Sequence, residues 1–325
     1  MLLEIIIIMI SLTLTWLSAE LIITAATKIA KHYNVSETFI GLTILSIGTS
    51  LPELGTHIAA SIKILQGADV SGLAVATNIG SSTIQISAIL AIIGLFMIIK
   101  TDKEFLRKNY MVSLYAIVLL FIFSLNHLIS RFEGFVLIVL YIIYIYYLAK
   151  AEHFTIKKND INNNTKKEKK EQKKDIVKNM ILLIISFVIL LTCSSFVVTA
   201  GEKLAAEWNV GDSLIGISLI GIGTALPELT TALAALKRKS SGMSLGVLVG
   251  SNITNPLFAL GIGALISGYT INSTILWIDI PVWFTISFIV LLMMWDKLQL
   301  NKKDSIILLF LYFLYLAFRI FLLQG

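Results

Sequence analysis

Apolar residues in this chain fall in long unbroken runs. They show neither the three-to-four-residue spacing of a half-buried helix nor the alternation of a half-buried strand. About ten runs stand out, near 2–30, 39–65, 72–99, 110–128, 132–149, 180–205, 213–236, 243–268, 273–295 and 304–323. Each reaches the roughly 18 residues that carry a helix through the hydrocarbon of a bilayer. Uniform apolarity without a period of two favours helices over a β-barrel. The pattern predicts an all-α polytopic membrane protein of ten transmembrane helices.

Composition agrees. Of 325 residues, 57% are hydrophobic and 14% charged, and mean hydropathy is +0.87. A soluble domain carries about 25% charged residues. The net charge of +6 would suggest nucleic acid for a soluble protein, but here its distribution explains it. With the N-terminus outside, the cytoplasmic connections hold 22 of the 26 Lys and Arg residues; the exceptions are Lys63, Arg131, Lys203 and Arg319. The positive-inside rule therefore predicts ten spans in a plasma membrane, both termini outside, and no nucleic-acid partner. The start Met1-Leu2-Leu3-Glu4 lacks a basic segment, so the first run is read as a retained helix. The single cysteine, Cys193, offers neither an intrachain disulfide nor a redox pair. A monomer is compatible with all of this.

The chain divides into a first five-helix unit at 1–150, a Lys- and Asn-rich linker at 151–178, and a second five-helix unit at 179–325. The linker reads as a flexible cytoplasmic tether, with a role at anionic lipid as the alternative. The two units are copies. Shifted by 175 residues, 18 of the 37 positions from Thr24 to Ala60 are identical. A shift of 170 aligns Gly80-Ser81 with Gly250-Ser251. An odd number of spans per copy inverts the second copy in the membrane, and such repeats place a transport site at the midplane where they meet.

The chemistry concentrates in Gly41-Leu-Thr-Ile-Leu-Ser-Ile-Gly-Thr-Ser-Leu-Pro-Glu53 and Gly216-Ile-Ser-Leu-Ile-Gly-Ile-Gly-Thr-Ala-Leu-Pro-Glu228. Glycines near Gly48 and Gly223 predict a break, with Thr49 and Thr224 in an unwound link. Pro52 and Pro227 then open new half-helices, where a missing N–H costs nothing. Glu53 and Glu228 follow in the first turns. An ionisable residue in mid-span costs about 2.5–3.5 kcal/mol and needs a reason. Two carboxylates and two sets of freed carbonyls make an oxygen cage of the kind that hard cations take. The structural alternative is a pair of protonated glutamates capping kinked helices.

A second block supplies neutral oxygens. Ser81, Ser82 and Gln85 in copy one, and Ser251, Asn252 and Asn255 in copy two, read as polar lining, with Ser81, Ser251, Gln85 and Asn255 the candidates to face the glutamates as neutral oxygen ligands suited to sodium; close packing is the alternative. His57 lies one turn beyond Glu53, opposite Ala232 in copy two. It reads as a packing or mouth-lining residue, with proton coupling as the alternative.

At these residues the chain resembles the sodium/calcium exchanger family of the cation/calcium antiporter superfamily, prokaryotic type. Gly48-Thr49-Ser50-Leu51-Pro52-Glu53 and Gly223-Thr224-Ala225-Leu226-Pro227-Glu228 look like the signatures of that family's two α-repeats. The resemblance implies calcium bound by Glu53, Glu228 and the Thr49 and Thr224 carbonyls. It implies sodium sites lined by Ser46, Ser50, Ser81, Gly221 and Ser251 together with the two glutamates. It also implies that the first and sixth helices slide as a gating pair, and that there is no cofactor. Three positions depart from the pattern: Ala225 lacks the expected hydroxyl, Asn255 stands where relatives often carry Asp, and Gln85 stands where Asn is usual. The missing acid argues against potassium co-transport.

The expected activity is sodium-for-calcium antiport at a two-glutamate site, with no enzymatic step. The alternatives are a proton-coupled antiporter of calcium or other divalent cations and, more remotely, an intramembrane enzyme or cation-binding receptor. The acid–histidine set, cysteine nucleophile or His cluster that an enzyme would need does not appear.

Overall fold

The computed structural model describes residues 2–68, 70–159, 166–207 and 224–324. The long apolar runs become helices, because a backbone surrounded by hydrocarbon must bond to itself. They are α1 (Leu2–Tyr33), α2 (Glu37–Thr49), α3 (Leu51–Leu65), α4 (Ser71–Phe96) and α5 (Lys103–Ser124). After these come α6 (Arg131–Asn159), α7 (Lys166–Glu207), α8 (Leu226–Lys237), α9 (Ser241–Ser267), α10 (Ile275–Lys297) and α11 (Lys302–Gln324). Among the described residues eight of these, α1, α4, α5, α6, α7, α9, α10 and α11, are long and apolar enough to cross a membrane. The run at 39–65 is divided between α2 and α3. The run at 213–236 is described only from 224, so Gly221 and Gly223 lie outside the described residues. Helix enters the 151–178 segment from both sides, as the ends of α6 and α7.

The repeat is visible in local geometry. Five-residue π-helical turns occupy Gln85–Ile89 in α4 and Asn255–Ala259 in α9, 170 residues apart. Another pair lies at Leu106–Tyr110 in α5 and Ile275–Asp279 in α10. Such turns insert one residue per turn and re-aim the side chains that follow, often at functional sites. Asp102 caps Phe105 as Asn272 caps Ile275. Ser130 and Glu133 form a capping pair that Asn301 and Asp304 repeat.

Two short bridges tie the copies together. Strand β1 (Ile99–Lys100) pairs antiparallel with β4 (Gln299–Leu300), and β2 (Leu128–Ile129) pairs with β3 (Tyr269–Thr270). Ser36 bonds to Glu152, and Ser240 to Glu37.

Most of the buried apolar side chains form one cluster through α4, α5, α9, α10 and α11. A second cluster joins α1 and α7 to the start of α2, to Ala234 and Ala235 of α8, and to Met243 and Val247 of α9. Helices α2 and α9 cross backbone to backbone. A Cβ on Gly41 would lie 2.7 Å from the Met243 carbonyl, and one on Gly250 would lie 2.6 Å from the Ser46 Cβ. Only glycine allows this approach, and it sets the end of α2 beside the middle of α9.

The membrane interior also carries charge where none was expected. The helices at 110–149 and 273–323 read as featureless scaffold, yet Arg319 pairs with Asp279 at 2.9 Å, both largely buried. Tyr315 donates to the same carboxylate at 2.9 Å. Copy one has the neutral version, with Tyr144 donating to Asn109 at 3.2 Å and Leu148 opposite Arg319. A lone charge in an apolar run looks costly until its partner 40 residues away is brought to it.

Candidate functional site

Each glutamate is placed by the same local device. Helix α2 ends at Thr49; Ser50, with φ −83° and ψ 7°, leaves the helix, and α3 begins at Leu51 with Pro52 and Glu53 in its first turn. In copy two Ala225, with φ −90° and ψ 0°, precedes α8, with Pro227 and Glu228 in its first turn. The first turn of a helix has spare N–H groups and the positive end of the dipole, so a proline is tolerated and a carboxylate is favoured there.

This corrects the expected break. It falls at Ser50, two residues beyond Gly48, and it is one residue long; Thr49 is the last residue of α2 rather than part of an unwound link. Gly48 has another cause. A Cβ there would collide with the ring of Phe187 from α7, so its smallness serves the packing of the two halves.

Both carboxylates are shut away from solvent. Ser81 donates to Oε1 of Glu53 at 2.7 Å. Gln85 donates to Ser81 at 3.2 Å, Asn252 donates to Gln85 at 3.1 Å, and Trp283 donates to Asn252 at 3.0 Å. This chain runs from Glu53 through four residues of three helices and holds Ser81 with its hydroxyl hydrogen toward the carboxylate. Gln85 and Asn252 are thus engaged with each other.

Glu228 stands near Glu53 and beside the Thr49 and Ser251 hydroxyls, and neither of its oxygens makes a well-aligned hydrogen bond. Thr49 and Ser251 face each other at 3.5 Å. Thr49 also bonds back to the Leu45 carbonyl at 3.0 Å, and Ser46 to the Leu42 carbonyl at 2.7 Å. Thr224 is half-buried beside the second break. The structure thus brings Glu53, Ser81, Gln85 and Asn252 into one chain, and Glu228, Thr49 and Ser251 into one group.

Several buried polar atoms here have no partner: Ser50 Oγ, Glu53 Oε2, both oxygens of Glu228, Ser82 Oγ, Asn78 Oδ1 and both amide ends of Asn255. An unpartnered buried polar atom costs about 1–3 kcal/mol, and more for a charged group. For the two glutamates, which stand near each other, that is a cost that a bound cation would remove. Among the described residues no three of His, Cys, Asp and Glu converge. Any cation taken here is therefore held by two carboxylates and neutral oxygens, the donor set of hard ions.

His57 is buried on the face of α3 that carries Glu53. Its Nδ1 lies 3.0 Å from the Tyr269 hydroxyl and its Nε2 lies 2.9 Å from the Asn78 amide nitrogen. Ser61, one turn on, donates to the Gly263 carbonyl and touches the same hydroxyl. His57 therefore packs, and both ring nitrogens are engaged. Asn78, Tyr269 and Trp283 were not singled out from the sequence. Asn78 had one signal: a polar residue inside an apolar run, three before Ser81, with Leu248 at the matched position of copy two. A cavity of about 980 Å³ near the ends of α2, α5 and α6, lined by Phe39, Asn109, Tyr115, Tyr147 and Glu152 among others, does not include either glutamate.

The family model described as sodium/calcium exchanger protein matches residues 3–150 and 178–321. The sodium/calcium exchanger MaX1 of Methanosarcina acetivorans is 28% identical over 333 residues, covering 92% of this chain and 93% of its own. The membrane protein MJ0091 of Methanocaldococcus jannaschii is 30% identical over 257 residues, 79% of this chain and 80% of its own. A solved structure of the sodium-calcium exchanger NCX_Mj superposes with a TM-score of 0.80 at 28% identity, covering 97% of this chain and 98% of the other.

Proposed function

The chain belongs to the sodium/calcium exchanger family, and from that premise we propose that it exchanges sodium for calcium by alternating access at one central site built on Glu53 and Glu228. One observation carries the reading. Two glutamates sit in the first turns of two matched helices, both buried, with three of their four carboxylate oxygens unpartnered.

Two carboxylates balance one calcium ion. They hold it with the Thr49 and Thr224 carbonyls. Sodium takes the same glutamates with Ser50, Ser81 and Ser251; Ser46 contributes lone pairs only, since its hydrogen is spent on Leu42, and Gly221 contributes its carbonyl. Each load neutralises the charge that the other needs. Exchange follows from that competition, and an empty site is left with unbalanced charge that disfavours passage. Ala225 removes one hydroxyl from the set found in copy one.

We place the site midway through ten spans arranged as two inverted five-span halves, 1–150 and 179–325, with 151–178 cytoplasmic and both termini outside. Parity supports this. A strand bridge joins only loops on one membrane face. Between Ile129 and Tyr269 lie α6, α7 and α9, an odd number, so a further crossing that includes α8 fits the bridge. Between Ser36 and Glu152, α2 and α3 must count together as one crossing.

The test is uptake of calcium-45 into sodium-loaded proteoliposomes at fixed pH and voltage. Uptake that needs the outward sodium gradient and vanishes in Glu228→Ala is expected. Uptake driven by a pH gradient and indifferent to sodium would replace this reading with a proton-coupled antiporter.

A further inference from the structure

We infer that Asn78 is a further cation ligand, supplying a neutral oxygen to the sodium-loaded state one helical turn from Glu53, and that His57 is the residue that positions it. The inference rests on the exchanger reading of the same site.

The hydrogen bonds determine which end of the Asn78 amide is free. Its nitrogen lies 3.0 Å from the backbone carbonyl of Asn255. A carbonyl only accepts, so the atom facing it is the NH2 group. The same nitrogen lies 2.9 Å from His57 Nε2, so its second hydrogen goes to the ring, and Nε2 is the lone-pair nitrogen. The ring hydrogen then sits on Nδ1 and points at Tyr269. Tyr269 is held in turn by the His57 carbonyl and Ser61. With both hydrogens of Asn78 spent, Oδ1 is the free end; it is buried and unpartnered.

Its position is set by periodicity. Glu53 and His57 are four apart on α3, and Asn78 and Ser81 are three apart on α4, so each pair shares a face. The Ser81–Glu53 and Asn78–His57 bonds are successive rungs between the same two helices. Beside the second rung the Asn255 side chain is fully buried with both amide ends unpartnered. Two unpartnered amide oxygens on the rung that follows the Glu53 rung give a level of neutral ligands, suited to a monovalent ion that needs no further charge. Copy two has no counterpart: Leu248 and Ala232 stand at the matched positions. The device is therefore confined to one half, the half that also keeps the Ser50 hydroxyl.

The test uses the full chain in proteoliposomes and, separately, purified in detergent with sodium chloride as the titrant. Asn78→Leu, the residue of the matched position, should raise the sodium concentration for half-maximal calcium-45 exchange about tenfold. The calcium KM should change by less than about threefold. The sodium midpoint for thermal protection should move equally. His57→Leu should do the same, and His57→Gln, whose oxygen can accept the Asn78 hydrogen, should restore the original midpoint. Unchanged sodium midpoints in Asn78→Leu and His57→Leu overturn the assignment, as does a shift in calcium KM alone. Equal loss in His57→Gln and His57→Leu overturns the positioning role. Absence of sodium-driven exchange in the unaltered protein would instead defeat the exchanger reading on which this rests.

Discussion

Ser81 donates its hydroxyl to Oε1 of Glu53 at 2.7 Å and leaves Oε2 of the same carboxylate with no partner. One oxygen is anchored and the other is available. Glu53→Gln keeps the shape and an acceptor for Ser81 but removes the charge. Calcium-45 uptake should fall by at least about a hundredfold, roughly 3 kcal/mol, while the detergent-purified protein elutes as before on size exclusion. Glu228→Gln should behave alike.

Ala225 and Ser50 occupy matched breaks, but only Ser50 brings a hydroxyl, and its Oγ is unpartnered. Ala225→Ser adds the missing oxygen without lengthening the backbone. The sodium concentration for half-maximal exchange should fall about fivefold, near the roughly 1 kcal/mol of one added polar contact. Sodium titrations of proteoliposome exchange will read it.

The Asp279–Arg319 pair is a charged elaboration of the Asn109–Leu148 positions in copy one. Asp279→Asn alone strands a buried guanidinium and should destabilise by roughly 3–5 kcal/mol. Adding Arg319→Leu reproduces the copy-one arrangement and should recover most of that loss. Thermal unfolding of the three proteins in one detergent decides it: a double variant no better than the single one would refute the matching.

The two strand bridges fix which loops share a face. With Cys193 replaced by Ala, cysteines at Lys100 and Gln299 should react with a membrane-impermeant maleimide from the cytoplasmic side only. Cysteines at Leu128 and Thr270 should react from the outside only. Labelling of Lys100→Cys and Leu128→Cys from one side would rule out a crossing by α5.

Much of this was legible from composition, because a bilayer imposes a length and an apolarity that few other settings demand. Eight of the ten runs became single long helices, and the Leu-Pro-Glu motifs opened helices with the glutamate in the first turn. The break lies two residues beyond the glycine that suggests it, because Gly48 is small for the sake of Phe187, a contact across 139 positions. Asp279 and Arg319 went unread for a similar reason, since each looks isolated until the fold joins them. Asn78 was hidden by the repeat itself. Attention to polarity shared by both copies passes over a polar residue whose counterpart is Leu248. Gln85 and Asn252, read as lining, turn out to satisfy one another, and no spacing rule foretells a bond between residues 167 positions apart.

Exchanging the two halves carries Ile99–Lys100 onto Tyr269–Thr270 and Leu128–Ile129 onto Gln299–Leu300, so that one bridge becomes the other. Such reciprocal straps are what two separate copies of one chain would form, each handing the other two loops. In these two bridges the molecule pairs with itself as two copies of one chain would. Its departures from symmetry, Ala225, Asn78 and Arg319 among them, all lie outside these straps.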